Sequence, residues 1–114
     1  MQIINLTPHK IVLFLEGEQI VYSSSKKRAI CRVRSKQIKV KTINKIPLVH
    51  ITYTDTELLP PQKPDTYYLV SLVVAQNNKT RRDLICPDTS PESVVRDEEG
   101  RMLGVKRFAC YWEE

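Results

Sequence analysis

Arginine side chains lie next to short acidic or hydroxyl side chains at several points in the second half of this 114-residue chain. A guanidinium can grip a phosphate with two hydrogen bonds, and a short acid beside it can fix its geometry or bind a ribose hydroxyl. These positions fall at predicted strand ends and loops, where ligand sites concentrate. We therefore predict a ligand site formed by Arg82, Asp83, Asp88, Thr89, Arg96 and Arg107, with Tyr68, Tyr67 or Tyr111 as a stacking surface.

The same residues have a simpler interpretation. Arg82–Asp83 and Arg96–Asp97 would then be surface ion pairs, which contribute little to stability. The sequence leaves both interpretations open.

Cations are concentrated in the first half of the chain. The net charge is +8 from Met1 to Pro47 and −3 from Leu48 onward, an asymmetry that favours an anionic partner. Alternation of period two predicts two paired strands, Ala29–Arg34 and Gln37–Ile43, with Ser35-Lys36 as their loop. This pairing would form one basic face from Arg32, Arg34, Lys39 and Lys41, edged by Lys26, Lys27 and Arg28. Such a face could bind nucleic-acid phosphates, or it could simply carry solvated charge.

Motifs of catalysis or metal binding are poorly represented. No serine or cysteine nucleophile has a readable relation to His9, and a histidine after a turn proline is more often structural. The chain has three glycines and no phosphate-binding glycine loop or Gly-x-Ser-x-Gly elbow. Cys31, Cys86 and Cys110 are odd in number and scattered, which predicts reduced thiols and no zinc site. We expect a non-enzymatic protein without a cofactor or metal.

The periodicity of apolar residues predicts a mainly β fold in one domain, residues 1–114. Ile11–Leu15 and Gln19–Tyr22 read as a hairpin around Gly17. Tyr67–Ala75 predicts a central buried strand, although its end could be a helical turn, and Ser90-Pro91-Glu92 favours a short helix. Further strands are predicted at Ile46–Tyr53, Leu84–Cys86 and Arg101–Trp112. We expect a small antiparallel sheet or barrel-like fold with at most one or two short helices.

The opening segment, Ile3–His9, resembles the start of a family of small phage and prophage proteins. Later segments share the resemblance in consistent order: Tyr68–Ser71, Val74–Gln76, Arg82–Leu84, Pro87–Thr89, Arg96–Gly100 and Gly104–Phe108. The family is largely uncharacterised, so the resemblance implies a viral setting more than an activity. The basic stretch from Lys26 to Lys45 departs from the more neutral pattern of the family.

Together these features predict a phage accessory protein in the reducing cytoplasm of the host, since no secretory signal or membrane span is recognisable. We expect a homo-oligomer that acts as an anti-defence factor, either as a sponge for a small nucleotide-type ligand or by binding a host defence component. Two alternatives stay open. One is a nucleic-acid-binding module that uses the basic face, and the other is a structural or protein-interaction subunit assembled through an exposed sheet edge.

Overall fold

The computed structural model describes residues 1–24 and 32–113, and within them the predicted mainly β fold is confirmed. These residues form ten strands and one short helix. In chain order they are β1 (Gln2–Asn5), β2 (Ile11–Leu15), β3 (Glu18–Tyr22), β4 (Arg32–Ile43), β5 (Ile46–Glu57), β6 (Thr66–Leu69), α1 (Leu72–Asn77), β7 (Leu84–Pro87), β8 (Val94–Arg96), β9 (Met102–Val105) and β10 (Phe108–Ala109).

Two four-stranded sheets form the body of the molecule, defined here as residues 1–24 and 58–113. The first sheet has the strand order β1-β6-β7-β10, and the second has the order β3-β2-β9-β8. Both sheets are mixed, because β6 pairs in parallel with β1 and β7, and β2 pairs in parallel with β9. The remaining pairs are antiparallel.

The predicted hairpin of β2 and β3 is confirmed, with Gly17 in its turn at φ +77°. The apolar run after Tyr67 divides into two elements. Strand β6 ends at Leu69, and Ser71 then caps α1 by accepting a hydrogen bond from the Val74 backbone N–H at 3.3 Å. The helical alternative was therefore the correct interpretation of the end of this run.

Two other elements differ from expectation. Ser90-Pro91-Glu92 forms a turn instead of a helix, with the Ser90 carbonyl accepting from the N–H groups of Ser93 and Val94 at 3.0 Å. The predicted strand Arg101–Trp112 is two strands, because β9 belongs to the second sheet and β10 to the first. The chain crosses between the sheets at Lys106 and Arg107, so no single strand could include both halves.

The core lies between the first sheet and α1. Its buried side chains are Leu6, Tyr68, Val70, Val74, Ala75, Leu84 and Cys86. At the end of the chain Phe108 meets Tyr22 edge to face, with ring centroids 5.8 Å apart, and the Trp112 indole N–H donates to the Leu84 carbonyl at 2.9 Å. Cys110, which lies between these two residues in the chain, is exposed.

Strands β4 and β5 pair only with each other among the described residues, and we call residues 32–57 the arm. The predicted loop Ser35-Lys36 is wrong, since both residues lie inside β4. The turn is at Asn44 and Lys45, with φ of 47° and 67°. A two-residue hairpin turn of this type needs positive φ at both positions, and asparagine tolerates it well. Residues 25–31, which include the predicted Ala29–Cys31 part of the first strand, lie outside the described residues.

The arm projects from the body and is attached at its base. Val33 packs against the core, and the Asn78 side-chain amide donates to Thr56 Oγ1 at 2.6 Å. All described side chains from Arg34 to Tyr53 are exposed. The radius of gyration is 16.6 Å, whereas a compact chain of this length would have about 13 Å. The arm accounts for this extended shape.

Candidate binding surface

Asp83, predicted as a ligand contact, is instead held inside the body. Its two carboxylate oxygens accept hydrogen bonds from Arg81 Nε at 2.8 Å and from Arg81 Nη2 at 2.7 Å. Arg81 Nη2 also donates to the Pro60 carbonyl at 3.0 Å. This arrangement links the proline-rich segment before β6 to the start of β7. The Asp83 carboxylate is therefore occupied by hydrogen bonds within the protein.

Asp88 and Arg107, two further predicted contacts, bind each other at the crossing between the sheets. Arg107 Nε donates to Asp88 Oδ2, and the Ser90 backbone N–H donates to Asp88 Oδ1 at 2.9 Å. The Arg107 hydrogen bond, followed by that of Ser90, lowers the pKa of Asp88 to about 2. Asp88 in turn raises the pKa of Arg107 above its ordinary value. The two charges largely neutralise each other.

Arg96 closes the turn between β8 and β9, where its Nη1 donates to the Gly100 carbonyl at 2.8 Å. Its sequence neighbour Asp97 pairs with Arg101, whose Nε lies 2.9 Å from Asp97 Oδ2. The Arg101 backbone N–H is the main cause of a lowered pKa of Asp97. Arg96 therefore belongs to the second sheet, whereas Arg82 and Asp83 precede β7 of the first sheet.

The predicted stacking surface at Tyr68 is wrong, because that ring is fully buried and its hydroxyl donates to the Pro61 carbonyl at 3.3 Å. Tyr67 is half-buried, whereas Tyr111 is exposed and lies between two open grooves. One groove, of about 320 Å³, is lined by Asp88 and Thr89, and the other, of about 390 Å³, is lined by Arg82. The structure thus places Arg82, Asp88 and Thr89 in grooves beside Tyr111, whereas the other predicted residues do not line these grooves.

The cations of the arm do not form the single basic face that the sequence predicted. Lys39 pairs with Val49, and Lys41 pairs with Leu48. Because consecutive residues of β5 point to opposite sides, Lys39 and Lys41 face opposite sides of the arm. The cause is a register shift at Val40, a β-bulge that no alternation pattern reveals.

The two arginines of that prediction lie near the base of the arm. Arg32 is paired with Glu57 in the strand register, and Arg34 Nε lies 2.7 Å from Glu57 Oε1. The predicted loop at Ser35-Lys36 would place Arg32 opposite Lys39, but both residues lie in the same strand, β4. Lys26, Lys27 and Arg28, expected at the edge of the basic face, lie outside the described residues.

Sequence reasoning missed the exposed apolar surface of the arm. Eight large apolar side chains of the arm are between 41% and 64% exposed: Ile38, Val40, Ile43, Ile46, Leu48, Val49, Ile51 and Tyr53. Pairing places Val49, Ile51 and Tyr53 on one face, and Ile38, Leu48 and the Ile43–Ile46 pair on the other. The signal in the sequence was that Val49, Ile51 and Tyr53 alternate along one face of β5. The opposite face carries Leu48 beside His50, so neither face is wholly polar.

This apolar surface is combined with positive charge. Residues 32–57 contain six lysines and arginines against two acids, a net charge of +4. A two-stranded ribbon is marginally stable alone in water, and extended exposed apolar patches mark interaction sites. The arm is therefore the candidate binding surface.

No known protein family matches this chain, and no curated protein or solved structure is significantly similar to it. Within residues 1–24 and 32–113, no three histidine, cysteine or acidic side chains are grouped so as to hold a metal ion. The same residues contain no helix with the length and apolar character needed to cross a bilayer.

Proposed function

We propose that this chain is a non-enzymatic binding protein that holds a protein partner with its arm. The exposed apolar side chains on both faces of the arm carry the proposal. Complete burial of one large aliphatic side chain contributes about 1.5–3 kcal/mol, so covering several half-exposed ones would give a substantial favourable term. A monomer gains nothing from displaying them to water.

The chemistry of the arm defines its partner. An apolar surface is needed to cover residues such as Ile51, and acidic groups around that surface would complement the net charge of +4. The resemblance of Ile3–His9 and the later segments to phage and prophage proteins supports a viral setting. In that setting the arm would bind a host defence component or assemble the protein with another protein subunit.

A capture experiment with two matched variants tests the proposal. Ile51→Asp places a charge on the arm, and Leu15→Asp does the same at a similarly exposed apolar position of the body. We expect the wild-type chain and the Leu15→Asp variant to retain the same protein from host lysate, and Ile51→Asp to lose it. Equal recovery with all three chains, or no retained protein, would contradict the proposal.

The nucleic-acid alternative uses the same arm, but the binding would come from electrostatic attraction to phosphates instead of burial of apolar side chains. Binding through phosphates releases counterions, so it falls steeply as salt rises. Repeating the capture with nuclease and at two salt concentrations separates the two. Nuclease-sensitive retention that collapses with salt would replace the protein partner by nucleic acid.

A small phosphorylated ligand is a second candidate, and the two grooves beside Tyr111 favour it. Tyr111 offers a stacking surface, Arg82 is exposed in one groove, and Asp88 with Thr89 lines the other. Calorimetry against cyclic and linear nucleotides tests it. Saturable binding that is lost on Arg82→Ala and kept on Arg96→Ala would support this site, because Arg96 lies in the other sheet.

A further inference from the structure

We propose that strand β5 of the arm pairs edge to edge with β5 of a second copy, so that two arms join into one four-stranded sheet of order β4-β5-β5-β4. The inference goes beyond the proposed function, because the edge of the arm binds the second copy while its faces stay available to the protein partner. Among the described residues β5 pairs with β4 alone. The backbone N–H and C=O groups along its other edge can therefore accept a further strand.

The charges of the arm divide between its two strands. Strand β5 contains no lysine or arginine, and its two acids, Asp55 and Glu57, lie near the base of the arm. One cation, Lys45, lies in the turn, and the other five lie in β4: Arg32, Arg34, Lys36, Lys39 and Lys41. Cationic side chains on an edge strand discourage the addition of another strand. The edge of β4 is therefore protected from pairing, whereas the edge of β5 is not.

The spacing of like charges favours a second copy at β5 and disfavours one at β4. Adjacent strands lie about 4.8 Å apart, so pairing through β4 would bring two strands of five cations each within that distance. Pairing through β5 separates them by three such spacings, about 14 Å, which exceeds the screening length of about 8 Å at physiological salt. Both outer edges of the joined sheet are then cationic β4 strands. Further addition is disfavoured, and the assembly closes as a symmetric dimer.

Strand β5 is also complementary to itself in its side chains. Antiparallel pairing centred on Ile51 places Val49 opposite Tyr53 of the second copy, and an aromatic side chain beside a β-branched one is a favourable cross-strand pair. The apolar face defined by these three residues then continues from one copy into the other. Pro47, which has no N–H to donate, faces Asp55 at the end of the paired stretch, where a missing hydrogen bond matters least.

The joined sheet accounts for a ribbon that projects into water. Two strands alone are marginally stable, whereas three or more strands with an apolar face are stable enough to persist. Val49, Ile51 and Tyr53 are 44%, 46% and 54% exposed in one copy, and pairing would cover their flanks along the shared edge. The three side chains from each copy would form one continuous apolar patch, which is a larger surface for the protein partner than a single arm offers.

Sedimentation of the full chain over a wide range of concentration is the first test, and we expect the wild type to be a dimer. In the register centred on Ile51, His50 faces Thr52 of the second copy. A double variant, His50→Lys with Thr52→Lys, therefore sets two pairs of like charges directly against each other and should weaken association about tenfold. The matched control, Ser35→Lys with Gln37→Lys, adds the same two charges to β4 and should stay dimeric. All four positions are exposed, and circular dichroism checks that both variants stay folded.

A mixing experiment tests the register. A second double variant, His50→Glu with Thr52→Glu, should also repel itself. An equal mixture of the lysine and glutamate variants should associate more tightly than either alone, because every facing pair then joins opposite charges. A mixture no tighter than its components would overturn the proposal, and so would a wild-type chain that stays monomeric or assembles only on added nucleic acid. If the wild type were monomeric and Ile51→Asp still lost a retained protein in the lysate capture, the pairing of arms would fail and the proposed function would stand.

Discussion

The buried ion pair of Asp83 and Arg81 joins three segments of the body. The Asp83 side chain is 4% exposed and that of Arg81 is 23% exposed, and Arg81 also holds the Pro60 carbonyl. The Asp83 backbone carbonyl accepts from the Tyr68 N–H at 2.8 Å, next to the core. The Asp83 carboxylate therefore has a structural role in the body.

Replacing Asp83 by alanine should be strongly destabilising. The change leaves the Arg81 guanidinium largely buried without its carboxylate, which we expect to lower the free energy of unfolding by about 2–4 kcal/mol. Urea denaturation measures it. Arg101→Ala, which removes an arginine whose side chain is 73% exposed, is the matched control and should change the free energy by about 0.5 kcal/mol or less. Similar losses for the two variants would show that burial does not govern these pairs.

The pair of Asp88 and Arg107 gives a dependence of stability on pH. The pKa of Asp88 is about 2 in the folded protein and 3.8 ordinarily, so the folded state favours the carboxylate. Its contribution is complete above about pH 4 and is lost as the pH falls through about 2. The difference in unfolding free energy between wild type and Asp88→Asn should follow this course in urea titrations. In an Arg107→Ala background the same substitution should have a much smaller effect, and an unchanged effect would rule out Arg107 as the cause.

The ion pairs also explain why the predicted ligand site could not be located correctly from the sequence alone. Both acids lie in or beside turns, where Asp83 pairs with Arg81 and not with Arg82, and Asp97 pairs with Arg101 and not with Arg96. Asp88 and Arg107 are separated by 19 positions and meet only because the chain crosses between sheets. Residue types predicted charge pairing, but the partners depended on the tertiary fold.

At the scale of strands, the predictions were reliable where one face of the strand packs against the rest of the body. The hairpin of β2 and β3, and strand β7, follow local apolar patterns and a glycine turn, and all three form as predicted. The arm has no face against a core along most of its length, so its apolar pattern does not define one register. The turn and the bulge at Val40 decide its geometry instead. For this reason residues 32–34 and 37–43, predicted to lie in two paired strands, lie in the single strand β4.

Gly104 lets β9 lie against β2, and its replacement tests that packing. A Cβ atom at Gly104 would lie 2.4 Å from the Val12 carbonyl oxygen and 2.7 Å from the Phe14 ring. We expect Gly104→Ala to lower the free energy of unfolding by about 1–3 kcal/mol, because the backbone oxygen cannot move away without disturbing the sheet. Thermal unfolding measures the loss. Gly17→Ala meets no atom within 4 Å and strains only its positive φ, so its cost should be about 1 kcal/mol.

At the scale of the whole molecule, the body and the arm use apolar residues for different purposes. The body buries residues such as Leu84 and Val74 in one core, although its second sheet also exposes Met102 and Leu103. The arm exposes nearly all its apolar side chains while it carries a net charge of +4. A net charge of this size helps to keep such a surface dispersed in water. A folded body with a separate binding arm is the simplest account of this distribution.

Removing the arm should therefore leave the body folded. A chain in which an Asn-Gly turn replaces residues 35–53 keeps Val33 and Thr56, which contact the core and Asn78. We expect a thermal midpoint within a few degrees of wild type, since the deleted side chains are exposed. Small-angle scattering at low concentration should give a radius of gyration that falls from 16.6 Å to about 13 Å. The shortened chain should not retain a partner, because it lacks the apolar surface that the proposed function needs. A large loss of thermal stability would instead mean that the arm packs on the body in solution, and the surface on which the proposed function depends would not be free.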